Sequence, residues 1–464
     1  MESIINNNKK MIFLLGPTGI GKTFLSLEIA NELKGEIINT DAFSLYKEAN
    51  IMTAKATLNE REKVKHRMID VVDLFDDKYN LNYFKNEAEK EINSVFEENK
   101  IPVIVGGTNY YVDSLLFNKE NLLNKNNVQS EEKKNLEQFK SYIDEINEFK
   151  KEEKDKDKLY TLINDYLQQF SCENNNFLYS LLNEIDKVYA NFYHKNDIRR
   201  IINTISFYFA YDKKKSDNEQ EKIYSLKYSN IKLIVLTAEN FNDLSMRIKG
   251  RIEEMILEGG LSEIMYIFQK FKLNNKQIIF TNGILQAIGY KEFFPLFENL
   301  SGDLIENNYK KYNLNNIKQL NEMINNEINS DEKLKQIYDK CKNDLIINTL
   351  NYAKYQIKFI KNKIIPFINE YKIINIKEYD KEIYKTVYMK EIMEYINSDK
   401  FVISDIENNS KLNNWKRFFC EICKCEMNGE KEYENHLKSN RHKKRKAKVN
   451  KTKENKEIIE NQKK

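Results

Sequence analysis

Short unbroken apolar runs alternate with helix-period stretches along the first 117 residues. MIFLL at 11–15 is followed at once by glycine and then by FLSLEIANEL at 24–33, whose apolar positions recur at helical spacing. EIINTD at 36–41 reads as a strand ending in a carboxylate, and IPVIV at 101–105 as a strand running into Gly106, Gly107 and Thr108. A helical stretch at 81–98 lies between them, and a fourth apolar strand, IKLIVLT, comes at 231–237. Such alternation predicts an α/β fold, a parallel sheet with helices on both faces. Ligands in these sheets sit beyond the carboxyl ends of the strands. Gly16, Asp41 and Gly106 all fall at such ends, so they are expected to converge on one crevice.

Beyond residue 117 the pattern changes. Residues 118–193 read as an inserted helical domain, with FKKEEKDKDK at 149–158 as a solvated linker. Residues 194–375 read as the remainder of the core, with helices resuming from 345 to 369. Polar stretches at 212–220 and 299–335 read there as loop expansions. A connector at 376–414, a compact module at 415–446 and a polar basic tail at 447–464 complete the division.

Composition narrows the class. A chain of 464 residues with 41% apolar and 31% charged positions has room for two or three domains. Only 4 prolines and 13 glycines favour long helices over a turn-rich β fold. A net charge of +4 says little about partners. The 5 cysteines, with Cys420, Cys423 and Cys425 bunched together, do not make a disulfide framework. No apolar run approaches the ~20 residues of a membrane span, and the first residues lack the apolar core of a signal peptide. A soluble cytoplasmic protein without membrane contact is the expectation, with nuclear or mitochondrial placement left open.

The most specific chemistry lies in GPTGIGKT at 16–23, a complete P-loop directly after a strand. Gly16, Pro17, Thr18, Gly19, Ile20 and Gly21 form a loop whose backbone N–H groups curl around a phosphate. Lys22 reaches the outer phosphates, and the Thr23 hydroxyl offers a ligand to Mg2+. The helix that follows points its positive dipole end at the same anion. An NTPase would pair this loop with an apolar strand ending in Asp; here the strongest such strand ends in Gly-Gly-Thr. Asp41, some twenty residues beyond Lys22, sits where small-molecule kinases place the acid that activates an acceptor. Group transfer to an acceptor is therefore favoured over motor-type hydrolysis.

A second constellation is C-x2-C at Cys420 and Cys423, then His436 and His442 spaced as H-x5-H, which suits tetrahedral zinc. Phe418 and Phe419 before it, and Leu437 in the expected helix, suggest a small ββα core. KKRK at 443–446 follows; contact with nucleic-acid phosphates, an import signal and a solvated tail all explain it.

Taken together, these residues resemble the tRNA dimethylallyltransferases (tRNA isopentenyltransferases). Beside the P-loop, the matching pieces in order are DAFSLYK at 41–47, TAK at 53–55, HRMID at 66–70 and IPVIVGGTNYY at 101–111. HKNDIRR at 194–200, RIKGR at 247–251, AIGYKE at 287–292 and YAKYQ at 352–356 follow. Eukaryotic members carry a similar C-terminal finger. The resemblance implies transfer of a dimethylallyl group from its diphosphate to N6 of the adenosine 3′ of the anticodon, the P-loop holding the leaving diphosphate. It further implies Asp41 as the base for N6, Thr108 as donor to the bridging oxygen, and Arg247 as a diphosphate ligand. Ala42, Phe43, Ser44, Arg199, Arg200, Gln286, Gly289, Tyr290, Lys291, Lys354 and Gln356 are implied to face the tRNA anticodon stem-loop. The expected cofactors are Mg2+ with the diphosphate and structural Zn2+ in the finger, and the expected state is a monomer.

Three places depart from the family pattern. Ala42 and Ser44 stand where Ser and often Gln are usual, Asn203 and Ser206 replace an Arg and a Glu, and Tyr355 and Phe359 replace an Arg and a Trp. They leave open a tRNA-binding relative with weakened catalysis. An adenylate isopentenyltransferase, against which the finger and tail argue, and a P-loop small-molecule kinase are the other readings.

Overall fold

The computed structural model describes residues 10–76, 79–121, 139–170, 175–219, 222–313, 315–402, 406–407, 417–428 and 430–448. Its chain divides into two compact units, one of residues 1–118 and 224–405 and the other of residues 119–223 and 406–464.

The first unit is built on six parallel strands: β1 (Met11–Leu15), β2 (Glu36–Asn39), β3 (His66–Arg67), β4 (Pro102–Val105), β5 (Ile231–Ala238) and β6 (Lys372–Ile376). Their order across the sheet is β3-β2-β4-β1-β5-β6. Ile12 and Ile37 both pair with Val103, and Met11 pairs with Ile231, so the central strands run in step. Strands β1, β2 and β4 are buried along their whole length. Cover on both faces is why they read as unbroken apolar runs instead of alternating ones. β1, β2 and β4 are neighbours, so the chain leaves all three at one edge of the sheet. The expected convergence of Gly16, Asp41 and Gly106 follows from that order.

β3 and β6, the two edge strands of this sheet, are the ones that the sequence reading lacked; β3 is two residues long and β6 is the longer. β6 lies along the edge of β5, with Ile374 and Ile376 turned inward and Ile373 outward. Three other expectations are corrected. The polar stretch at 299–335 is helical, forming Gly302–Lys311, Ile317–Ser330 and the start of a long helix, Glu332–Phe359. Ile317, Leu320, Ile324 and Ile328 make its buried stripe, and abundant Asn and Lys on the outer face masked that period. The charged run at 149–158 is likewise the end of one helix, Lys140–Glu152, and the start of the next, Lys156–Gln168, which Asp155 caps. Residues 215–219 also form a short helix.

The helical part of the second unit has its own core of Leu178, Leu181, Leu182 and Ile185 with Ile201, Ile205 and Phe209. Helix Ile198–Tyr211 therefore belongs to this bundle, and the boundary falls after residue 223 where the sequence division had placed it after 193. Asn203, at one of the departures from the family pattern, accepts a 2.8 Å hydrogen bond from Asn164 within the bundle.

Candidate active site

Strand β1 ends at Leu15, and the chain then wraps through Gly16–Gly21 into helix α1 (Lys22–Glu32). Gly21 sits at φ +93°, a left-handed conformation that a side chain resists, and no side chain caps the helix. Its first-turn N–H groups are left for an anion. Lys22 folds back over the loop, its Nζ donating 2.8 Å hydrogen bonds to the Gly16 and Pro17 carbonyls. The loop borders a cavity of about 740 Å³, lined also by Asp41, Ser44, Gly106, Gly107, Arg247 and Arg251.

Asp41 follows β2 by two residues, and its Oδ1 accepts a 3.0 Å hydrogen bond from the Phe43 N–H. Gly106 and Gly107 leave β4 alongside it. A Cβ on Gly107 would stand 2.3 Å from Asp41 Oδ2, and one on Gly106 would stand 2.3 Å from the Thr40 carbonyl carbon. Only glycine lets this turn lie against the carboxylate. Thr108 ties the two turns together: its N–H donates to Thr40 O at 3.2 Å, and its Oγ1 accepts from Ala42 N–H at 3.0 Å.

The two strand-end turns are braced from behind by the long helix α3 (Glu332–Phe359), the third of the helices that frame the site after α1 and α2 (Phe241–Met255). Gln356 is buried, accepting from Thr18 N–H and donating to Gly107 O, both at 2.7 Å. Tyr352 donates to the same Gly107 carbonyl at 2.9 Å. Expected as an RNA contact, Gln356 instead spends both ends of its amide holding the phosphate loop to the Asp41 turn.

From α2 come Arg247, whose Nε donates to Gly19 O at 2.9 Å, and Arg251, whose guanidinium stands 3.5 Å from Thr18 Oγ1. Arg251, Tyr352 and Tyr379 line the cavity but were not among the expected site residues. For Arg251 the signal was present, since it lies four residues after Arg247 and so on the same helix face.

Burial lowers the Lys22 pKa to about 7, the Arg251 charge adds to this, and Asp41 opposes it. Burial raises the Asp41 pKa against its backbone hydrogen bonds and the Lys22 charge. Burial, then Arg247, lowers that of Arg251. The crevice thus holds a weakened acid and a weakened ammonium, and an arriving anion restores the charge on Lys22. Binding of inorganic pyrophosphate is expected to take up a proton above pH about 7, where free Lys22 is neutral. Affinity then falls as pH rises between 7.5 and 9, by up to about tenfold per unit. Calorimetry in two buffers of different ionisation heat measures that uptake; none at pH 8.5 excludes it.

The remaining expected RNA contacts divide. Gln286, Lys291 and Lys354 are exposed, the last with its Nζ 5.1 Å from the Phe241 ring centre. Arg199 and Arg200 are exposed on the helical unit. Ala42 and Phe43 are half-buried beside Asp41, and Ser44 is buried. Gly289 and Tyr290 are corrections. Tyr290 is wholly buried in the core, and Gly289, at φ +116°, lies where a Cβ would meet Met52 Cε at 2.6 Å. Both serve packing at a helix start, where Glu292 accepts from the Gly289 N–H at 2.7 Å.

The finger forms as strands Arg417–Cys420 and Cys425–Asn428 with helix Glu430–Lys438. The ligand atoms of Cys420, Cys423, His436 and His442 all lie within 4.8 Å of one another. His442 Nδ1 stands 3.4 and 3.5 Å from the two sulfurs and 3.1 Å from His436 Nε2. Tetrahedral zinc, with Zn–S of ~2.3 Å and Zn–N of ~2.0 Å, requires edges of about 3.5 and 3.3 Å. The donor set fits structural zinc. Cys425 turns its sulfur to Met427 and stays outside the cluster. The small core uses Phe418 stacked on Tyr433, while Phe419 and Leu437, expected inside, are 48% and 38% exposed. Beyond residue 448 the expected tail lies outside the described residues.

A parallel sheet with a P-loop, a carboxylate beside it and a Gly-Gly turn against that carboxylate places the chain among the P-loop α/β proteins. Residues 44–363 match the family described as IPP transferase, and residues 418–442 match the C2H2-type zinc finger. The chain is 28% identical to the tRNA dimethylallyltransferase of Saccharomyces cerevisiae, over 79% of this chain and 71% of that one. It is 33% identical to that of Lactobacillus acidophilus, over 62% of this chain and 81% of the relative. A solved eukaryotic dimethylallyltransferase acting on tRNA superposes with a TM-score of 0.66, at 23% identity, covering 97% of this chain and 100% of that one. The chain belongs to the IPP transferase family.

Proposed function

We propose that this protein transfers a dimethylallyl group from dimethylallyl diphosphate to N6 of the adenosine 3′ of a tRNA anticodon, releasing diphosphate. The observation that carries the reading is the juxtaposition of the P-loop, Lys22, Arg247 and Asp41 around one cavity, in a chain whose named relatives are tRNA dimethylallyltransferases.

In this reading the allylic C–O bond breaks and its electron pair leaves with the diphosphate. First-turn amides of α1, Lys22 and Arg247 stabilise the charge that develops there. The Thr108 hydroxyl, held at Ala42 N–H, donates its proton toward the bridging oxygen. The N6 lone pair forms the new C–N bond, and Asp41 accepts the proton that N6 gives up. The adenosine leaves the anticodon-loop stack to reach the crevice, which costs little in a loop. Thr23 is exposed at the cavity, and its hydroxyl has no partner among the described residues. That suits a Mg2+ ion, which would be held there with diphosphate oxygens and would offset their charge. Ser44 takes the position of a residue that usually helps hold the adenine, and with the exposed Lys291, Lys354, Arg199 and Arg200 we assign it to the tRNA side. All these groups lie on one chain, and we take the working unit to be a monomer. Among the described residues no helix is long and apolar enough to cross a membrane.

The test offers labelled dimethylallyl diphosphate with tRNA, with free AMP, or labelled ATP with small acceptors. Label is expected on tRNA alone. Label on AMP points to an adenylate isopentenyltransferase, phosphoryl transfer to a kinase, and tight tRNA binding without transfer to a relative that has lost turnover.

A further inference from the structure

One wall of the diphosphate cradle comes from beyond the family match, which ends at residue 363. Tyr379 and Lys381 line the cavity. Tyr384 lies on the phosphate loop, its hydroxyl donating to Ile20 O at 2.8 Å, and a Cβ on Gly21 would meet its ring at 2.4 Å. The segment is anchored by β6 in the sheet and by Tyr388, whose hydroxyl accepts from the Lys377 and Glu378 amides at 2.9 and 3.0 Å. The sequence reading had taken residues from 376 onward as a connector; here they close the site.

Within this wall the ring of Tyr379 carries the guanidinium of Arg247, 5.1 Å from ring centre to guanidinium carbon. Arg247 Nε is bound to Gly19 O, and its two terminal nitrogens have no hydrogen-bond partner among the described residues. Asp243 lies four residues earlier on α2 and also lines the cavity. An Asp and an Arg so spaced ordinarily pair on a helix surface, yet no Asp243–Arg247 ion pair forms among the described residues.

We propose that Tyr379 is a positioning residue for diphosphate binding: its ring and the Gly19 carbonyl hold the Arg247 guanidinium off Asp243, so that its terminal nitrogens meet the diphosphate as a fork. The inference rests on reading the crevice as a diphosphate site. An aromatic face attracts a partly desolvated guanidinium, and a pre-set fork binds phosphate oxygens in pairs. Without the ring, Arg247 swings to Asp243, and diphosphate must compete with an internal carboxylate.

The test uses the full chain, with inorganic pyrophosphate as the probe in calorimetry and dimethylallyl diphosphate with tRNA in steady-state kinetics. Tyr379→Leu is expected to weaken pyrophosphate binding about 3- to 30-fold and to raise KM for dimethylallyl diphosphate more than it lowers kcat. tRNA affinity and the melting temperature report that the fold is kept. Tyr379→Phe, which keeps the ring, behaves as the unaltered protein. Adding Asp243→Asn to Tyr379→Leu recovers a large part of the lost affinity by removing the competitor. Full pyrophosphate affinity in Tyr379→Leu, an equal loss in Tyr379→Phe, or no recovery with Asp243→Asn each overturns the assignment. Absence of pyrophosphate binding in the unaltered protein is a different result, since it removes the diphosphate reading itself.

Discussion

Replacing Asp41 with Ala is expected to slow prenyl transfer about 10²- to 10⁴-fold while leaving pyrophosphate affinity nearly unchanged. The carboxylate stands at the end of β2 against the Gly106–Gly107 turn, within the cavity that the phosphate loop borders. Its carboxylate accepts from backbone N–H groups, Phe43 at 3.0 Å together with Ser44 and Gly107, and without it the Thr108 contacts still tie the two turns. Asp41→Asn sharpens the test because the amide keeps shape and cannot accept the proton. Burial raises the Asp41 pKa, and a base works only when ionised. The acid limb of the kcat/KM profile is therefore expected above the ordinary aspartate value of about 3.9, and it should disappear in Asp41→Asn.

The same shift has a stability consequence with a definite sign. A carboxyl whose pKa is raised by folding binds protons more tightly in the native state, so its contribution to stability is lost as pH rises through the unfolded value and then the folded one. At neutral pH the ionised Asp41 costs stability, and Asp41→Asn should melt higher than the parent while turning over far more slowly. Transfer at an unchanged rate in either variant removes Asp41 from the chemistry. A lower melting temperature in Asp41→Asn would mean that the carboxylate is structural.

How much of this was legible beforehand depended on whether local sequence carries the constraint. The strands β1, β2 and β4 announced themselves because burial on both faces demands uninterrupted apolar residues. Their order fixed the meeting of Gly16, Asp41 and Gly106, and spacing alone located the zinc ligands. Helices at 302–330 were hidden because Asn and Lys fill their outer faces and leave one apolar residue per turn. Gln356, Gly289 and Tyr290 sit in segments taken to face RNA. Their burial is a tertiary fact: an amide bound at both ends, a glycine under a methionine, a phenol in the core. Tyr379 and Tyr384 lacked any local sign, since what makes them matter is the return of a distant edge strand to the phosphate loop.

Withdrawing zinc is expected to unfold the finger outright while sparing the crevice. Among the described residues the finger's apolar core is Cys420, Cys423 and Met427, packed with Phe418, Ile422, Cys425 and Tyr433. So small a core cannot offset the chain entropy of ordering it. Structural zinc supplies about 10–16 kcal/mol in modules of this size, so the metal site is the source of their stability. Helical residues 440–448, which carry His442 and the basic run, are pinned to the knuckle by a 3.1 Å hydrogen bond from Arg445 to Cys423 O. Losing the metal therefore scatters the cations that would face RNA phosphates. Cys423→Ser or strong chelation is expected to abolish the bound zinc, of which the intact chain should hold one ion. Protease sites at 417–448 should open, and tRNA affinity should fall with a shallower dependence on salt. Pyrophosphate affinity should hold, because among the described residues none that lines the cavity belongs to the finger. Metal analysis, limited proteolysis and tRNA binding across a salt series read these outcomes separately. A zinc-free chain that keeps the 417–448 segment protected would show that its small core holds without the metal, and unchanged tRNA affinity after unfolding would remove the finger from RNA recognition.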